Sequence, residues 1–392
     1  MFAGVLEDEI GRLFRASPRE NARLFHALAL EAELSPAQLV GNAWQNHLLD
    51  RLLADENAFS LKAQIRGQPG PGLRAAVEDD LAKLRQLFDQ SLELGELTPA
   101  GDRPPDGIKI ELAKTNDWRR MVEPLAAHYR QHGTGLLAQH RAFRWNPIAA
   151  ELEPIPKPDP IRLEDLFTYD AERELLLATT EQFVAGHASN NVLLYGERGT
   201  GKSSTVKALL QRYPKLKMVE IAPGDLADLP RLLPKLAANP GRFVLFVDDL
   251  SFDEMELQYK HLKAVLEGGL EVRPDNVVIY ATSNRKHLVK ERFSDMTKPI
   301  VGDEIHEQDT VQEKLSLSDR FGITLTFISP DQQRYLTIMH RIAESRGLQV
   351  DPNDLRARAI RWAMYHNGFS GRTARQFADF LAGEMALAGG HK

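Results

Sequence analysis

Gly196-Glu197-Arg198-Gly199-Thr200-Gly201-Lys202-Ser203, followed by Ser204, sets the architecture of this chain. The run fits G-x-x-x-x-G-K-[ST], the spacing of a phosphate-binding loop. Its glycines let the backbone curl tightly, so that successive N–H groups face into a concave nest for the β- and γ-phosphates. Lys202 adds a point charge, and the Ser203 hydroxyl is the expected Mg²⁺ ligand. Asn191-Val192-Leu193-Leu194-Tyr195 precedes the loop as a buried-type strand, and residues 204–210 continue it as a helix. Strand, glycine loop and helix stand in the order that phosphate binding requires, with the phosphates at the helix N-terminus. The expected ligand is a nucleoside triphosphate.

Two further stretches supply the chemistry that such a loop needs. Phe243-Val244-Leu245-Phe246-Val247 runs into Asp248-Asp249. An apolar strand ending in carboxylates delivers them to the C-terminal edge of the sheet, where α/β sites form. Asp248 is expected to hold Mg²⁺ and Asp249 to orient or deprotonate the attacking water. Val277-Val278-Ile279-Tyr280 then leads to Ala281-Thr282-Ser283-Asn284, which places a polar tip within reach of a γ-phosphate; a turn-forming asparagine is the plainer alternative.

Outward from the loop, 392 residues imply two or three domains. Residues 1–150 read as a helical N-terminal domain, with helices near 21–30, from Ser35-Pro36 through Leu52, and over 73–94. Glu153-Pro154-Ile155-Pro156-Lys157-Pro158-Asp159-Pro160 reads as an extended linker covering 151–162. Residues 163–330 alternate helices with strands apolar on both faces, which implies a parallel sheet covered on both sides. Residues 331–392 read as an all-helical lid with segments starting near Asp331, Asp351 and Ser370.

Composition narrows the chemistry. The chain has no cysteine, which excludes disulfides, thiolate catalysis and cysteine-based zinc sites. A formal charge of -6 gives no global attraction to nucleic acid, although a local basic face stays compatible with it. No apolar stretch has the length to span a bilayer, and the acidic start Glu7-Asp8-Glu9 differs from a secretory signal. The expectation is a cytoplasmic protein without a membrane partner.

The phosphate loop, Asp248-Asp249, Asn284 at the sensor 1 position, a late Arg-Phe pair and the helical C-terminus together resemble the AAA+ ATPase superfamily over about residues 163–385. Three runs also resemble a bacterial AAA+ family catalogued only as a domain of unknown function. They are residues 248–252, residues 280–285 and Lys314-Leu315-Ser316-Leu317-Ser318-Asp319-Arg320-Phe321-Gly322. The resemblance implies Mg²⁺-dependent ATP hydrolysis in a homo-oligomeric ring, acting on a protein or nucleic-acid client; a nucleotide-gated loader or adaptor with slow hydrolysis is the alternative.

The resemblance also implies residue roles. Arg320 takes the place of an arginine finger acting in trans, with Arg292 the weaker candidate and an ion pair to Asp319 the plainer reading. Arg375 is the preferred sensor 2 contact and Arg372, one helical turn earlier, the close alternative. Residues 163–170 fill the place of the base pocket, where Phe167 and Tyr169 either flank the base or pack against the first helix; no guanine-reading N-K-x-D signature stands in the chain, in agreement with ATP. Most AAA+ ATPases carry glutamate where this chain has Asp249, one methylene shorter, which puts fast water activation in question.

Other features carry less. His128 and His132 have a metal-compatible spacing without an identifiable third ligand, and read as a solvated helix face. His140-Arg141-Ala142-Phe143-Arg144-Trp145 mixes cations and aromatics, as both nucleic-acid surfaces and amphipathic packing do. Glu267-Gly268-Gly269-Leu270 reads as a glycine turn or a pore-facing loop, and residues 294–312 as a long polar loop of undefined role.

Overall fold

Strands that are apolar on both faces cannot leave either face in water, and here they assemble into one covered sheet. The computed structural model describes Phe2 and residues 18–35, 37–65, 67–90, 103–250, 262–263, 265–266, 273–284, 320–366 and 368–389. The chain divides into two compact units, Met1–His140 with Ala238–Gly241, and Arg141–Ala237 with Arg242–Lys392.

The first unit is helical. It contains α1 (Pro18–Leu34), α2 (Ala43–Ala54), α3 (Ala58–Gln64), α4 (Pro71–Phe88), α5 (Gly107–Lys114), α6 (Val122–His132) and α7 (Gly135–Gln139). Asn42 and Asn57 start α2 and α3 with reciprocal capping boxes, which satisfy otherwise orphaned amides. Trp44, Phe59, Trp118 and Tyr129 fill the core, with the buried Trp44 Nε1 donating to Leu87 O at 3.1 Å and Tyr129 Oη donating to Leu52 O at 2.6 Å. His128 departs from the solvated face expected of it. Its side chain is largely buried, its ring stacks on His132 at 4.4 Å, and burial pushes its pKa down to about 4.

The second unit holds a seven-stranded sheet in the order β2-β1-β4-β5-β6-β3-β7. The strands are β1 (Ala142–Asn146), β2 (Glu151–Pro154), β3 (Val192–Gly196), β4 (Leu216–Ile221), β5 (Arg242–Val247), β6 (Val277–Ser283) and β7 (Ile323–Phe327). All neighbours run parallel except β1 and β2. Helices α8 (Asp170–Val184) and α9 (Lys202–Arg212) cover one face, meeting Val192, Leu194, Val244, Phe246, Val278 and Tyr280. By strand alternation Leu193, Phe243, Leu245, Val247, Val277 and Ile279 point to the other face, all fully buried. Helix α10 (Leu229–Ala237) packs against β6. With β3, the glycine loop and α9 in succession, this is a P-loop α/β fold. Helices α11 (Gln332–Ser345), α12 (Pro352–Tyr365) and α13 (Gly371–Gly389) form a separate cluster around Tyr335, Met339, Ala359 and Phe377.

Residues 142–154 correct the expected boundaries. Both β1, placed by sequence in the N-terminal domain, and β2, placed in the linker, belong to the sheet. Pro154 is compatible with a strand because β2 lies at the sheet edge, where a missing N–H costs no ladder bond. The cation-aromatic run 140–145 resolves as packing: Phe143 and Trp145 are buried and Arg144 pairs with Glu220. Arg292 and residues 251–252, 267–270, 294–312 and 314–319 lie outside the described residues. Among the described residues, no helix is long and apolar enough to cross a membrane.

Strand β3 fits against β7 only because residue 196 is glycine. Its φ is 142°, and an added Cβ would lie 2.0 Å from the Phe327 carbonyl oxygen. Gly196→Ala is therefore expected to cost ~2 kcal/mol or more, through backbone strain and forced separation of the two strands. Thermal unfolding followed by circular dichroism checks this, and an unchanged midpoint would contradict the close packing.

Candidate functional site

The loop after β3 turns on three glycines with positive φ, Gly196, Gly199 (79°) and Gly201 (97°), conformations that side chains resist. Helix α9 begins at Lys202, so its free N-terminal amides and positive dipole end open into the loop. Lys202 itself is buried, 4% exposed. Its Nζ donates to Gly196 O at 2.9 Å, Glu197 O at 2.8 Å and Asn284 Oδ1 at 2.9 Å. Burial lowers its pKa to about 8, with Asp249 and Asp248 pulling the other way. Thr200 Oγ1 braces the turn by donating to Glu197 O at 2.9 Å, and Ser329 Oγ donates to the Glu197 carboxylate from the chain just after β7.

The expected carboxylates arrive beside this loop. Ser203 Oγ donates to Asp248 Oδ1 at 2.6 Å, and the same oxygen accepts Thr282 Oγ1 at 2.6 Å. Asn284 Nδ2 donates to Asp249 Oδ1, so Asn284 bridges Lys202 and Asp249. Asp249 has φ 56°, a left-handed conformation rare outside glycine, and its N–H donates to Thr282 Oγ1 at 2.9 Å. A hydroxyl and a carboxylate oxygen converging on one point are the hard ligands that Mg²⁺ takes, so Ser203 and Asp248 fit the ion.

A cavity of about 530 Å³ opens here. Arg198, Gly199, Thr200, Gly201, Lys202, Ser203 and Ser204 line its floor, with Asp248, Asp249 and Asn284 on one side. Leu166 and, from the lid, Ile338 and Ile342 supply apolar walls. Phe167 and Tyr169 also border it, but they are engaged elsewhere. Phe167 packs on the lid cluster, with the Arg341 guanidinium 5.9 Å from its ring centre. Tyr169 stacks on Phe327 at 4.7 Å and donates from Oη to Ile328 O. Both aromatics thus take part in packing while bordering the cavity.

The lid closes the other side. Arg372 N–H donates to Gly199 O at 3.2 Å, and the Ser370 side chain lies where a Cβ on Gly199 would meet it. Arg372 also lowers the Lys202 pKa, which puts its charge near the phosphate loop. Arg375, preferred on sequence, instead donates from Nη2 to Asp165 O at 3.1 Å, in the segment that precedes α8. Both arginines border the cavity, whereas Arg320 does not. Sequence reasoning gave no role to Thr282, Ile338 or Ile342, whereas Leu166 lies within the segment 163–170 expected at the base pocket. Thr282 carried a faint signal as a polar residue in the last turn of an otherwise apolar strand.

Solved structures with a similar fold include the Holliday junction branch migration motor RuvB of Thermotoga maritima. It is 17% identical with a TM-score of 0.39, over 55% of this chain and 62% of that one. A point variant of the same motor is 16% identical with a TM-score of 0.42, over 58% and 67%. The present chain thus spans less than two thirds of the first of these structures. No curated protein matches it. A family model described as "Protein of unknown function (DUF815)" matches residues 138–385, well over half the chain and including every site residue named above, and the chain belongs to that family.

Proposed function

We propose that this protein binds Mg·ATP in the cradle around Lys202 and hydrolyses it within a homo-oligomer. The observation that carries this reading is the assembled but self-satisfied site: Lys202 spends its three donors on two loop carbonyls and Asn284. A triphosphate offers stronger, charged acceptors in the same place, while the α9 amides supply further donors. Mg²⁺, when bound by Ser203 and Asp248, would neutralise phosphate charge. Freed from Lys202, Asn284 is positioned to hold a water against Asp249, which accepts its proton or orients it. Arg372, rather than Arg375, is the better placed lid cation for the phosphates, and Arg375 ties the lid to the segment that precedes α8.

Arg320 supports the oligomeric part of the reading. It precedes β7, which runs parallel to β3, and the phosphate loop leaves the far end of β3. A five-residue strand spans about 16 Å, beyond the reach of a side chain, so a nucleotide contact by Arg320 would have to be made to a neighbouring copy. The helical N-terminal unit is then the part that holds a client. A cytoplasmic setting, where ATP is supplied, fits this role.

The short Asp249 side chain and its bond to Asn284 favour a second reading, a nucleotide-gated adaptor in which hydrolysis only resets the state. Two substitutions separate the readings. Lys202→Ala is expected to abolish nucleotide binding. Asp249→Asn is expected to keep binding while turnover falls at least about 100-fold. Client capture by Asp249→Asn protein in ATP, at wild-type level and without turnover, selects the adaptor; loss of capture selects the motor.

The in-trans role has its own test. Arg320→Ala is expected to bind ATP normally and lose about 10³-fold in turnover. Mixed with the equally inactive Lys202→Ala protein, it should regain part of the activity, since each variant supplies what the other lacks. An additive, inactive mixture in steady-state assays would contradict catalysis across subunits.

A further inference from the structure

Thr282, a residue 2% exposed, ends the apolar run of β6, and its hydroxyl both donates and accepts a hydrogen bond. It donates to Asp248 Oδ1 at 2.6 Å and accepts the Asp249 N–H at 2.9 Å. The Thr282 carbonyl accepts the Leu250 N–H at 2.7 Å. One residue of β6 therefore grips three successive residues that leave β5: a side chain at 248 and main-chain amides at 249 and 250. The grip coincides with the left-handed turn at Asp249, which needs outside support because a residue with a side chain disfavours it.

Two consequences follow from the geometry. Asp248 Oδ1 receives hydroxyl donors from both Ser203 and Thr282, which together fix the rotation of the carboxylate. The bond to the Asp249 amide holds the turn that brings the Asp249 carboxylate to Asn284. We propose that Thr282 is a positioning residue, whose hydroxyl sets the metal-binding carboxylate and the water-facing carboxylate in one register. The proposal rests on the Mg·ATP reading given above. It assigns the second half of the Asp-Asp pair's geometry to the adjacent strand rather than to the pair itself.

Valine has the shape of threonine without its hydroxyl, and serine has the hydroxyl without the methyl, so the two variants separate hydrogen bonding from packing. The experiment titrates Mn²⁺ into protein saturated with a non-hydrolysable ATP analogue, by calorimetry. Alongside it come analogue affinity in EDTA, and kcat and KM for Mg·ATP. For Thr282→Val, the expected result is a roughly 10–100-fold loss of Mn²⁺ affinity and of kcat, the range seen when partners of metal ligands are removed. Metal-free analogue affinity and KM should stay within about threefold, because the phosphate cradle is untouched, and Thr282→Ser should stay near wild type. Thr282→Ala replaces the valine variant if the latter does not fold.

Wild-type Mn²⁺ affinity and kcat in a folded Thr282→Val protein would overturn the proposal. Equal impairment in the serine variant would also do so, since the methyl rather than the hydroxyl would then matter. Failure of the wild-type protein itself to bind the analogue in EDTA and in Mg²⁺ would overturn the nucleotide reading and this inference with it.

Discussion

A lysine ammonium buried to 4% exposure is the constraint on which the second unit is built. An unpaired charge in such a place costs several kcal/mol, so the chain must bring acceptors to it. It does so with two carbonyls from its own loop and one amide oxygen from a strand 82 residues away. Turning those carbonyls inward needs positive φ at three glycines, and the first of them also lets β7 lie against β3. Loop, sheet order and charge are thus one problem with one solution. The arrangement is satisfied as it stands, yet with acceptors weaker than phosphate.

From this point the site extends by short polar links rather than by bulk packing. Asn284 connects Lys202 to Asp249, Thr282 connects Asp249 to Asp248, and Ser203 returns from Asp248 to the loop. Low local dielectric strengthens each link and makes each costly to leave half-made. The lid joins through the Arg372 amide on Gly199, and the segment that precedes α8 through Arg375 on Asp165 and Arg341 over Phe167. A ligand that displaces Lys202 from its carbonyls therefore acts on elements that also hold the lid.

The legibility of this site in the sequence follows the range of its determinants. The phosphate loop was readable because its geometry is local: the glycines, the lysine and the serine are contiguous, and flanking patterns announce strand and helix. Asp248 and Asn284 were readable because each ends an apolar strand. Strands β1 and β2 were not, because their cations, aromatics and prolines match neither strand alternation nor a covered strand; β2 pairs only with β1, and the parallel partner of β1, β4, lies more than 60 residues on. The choice between Arg372 and Arg375 turns on the lid helix's placement against Gly199, a tertiary contact. The aliphatic walls of the cavity include Ile338 and Ile342, apolar positions that look like ordinary helix core, beside Leu166 of the expected segment 163–170. Phe167 and Tyr169, more conspicuous by type, take part in packing.

The central claim is that a triphosphate enters where the Lys202 ammonium now sits among carbonyls, and protonation reports that event directly. With its pKa lowered to about 8 by burial, Lys202 carries a neutral fraction at pH 8 in the free protein that an ordinary lysine would lack. A bound triphosphate, being anionic, raises that pKa again, so binding must take up a proton. Calorimetric titration with Mg·ATP at pH 8, in buffers of different ionisation enthalpy, measures the uptake. The account predicts net proton uptake at pH 8 that falls toward zero at pH 6, and no binding heat from Lys202→Ala protein. Binding without proton uptake at pH 8, or no binding by the wild-type chain, would contradict it.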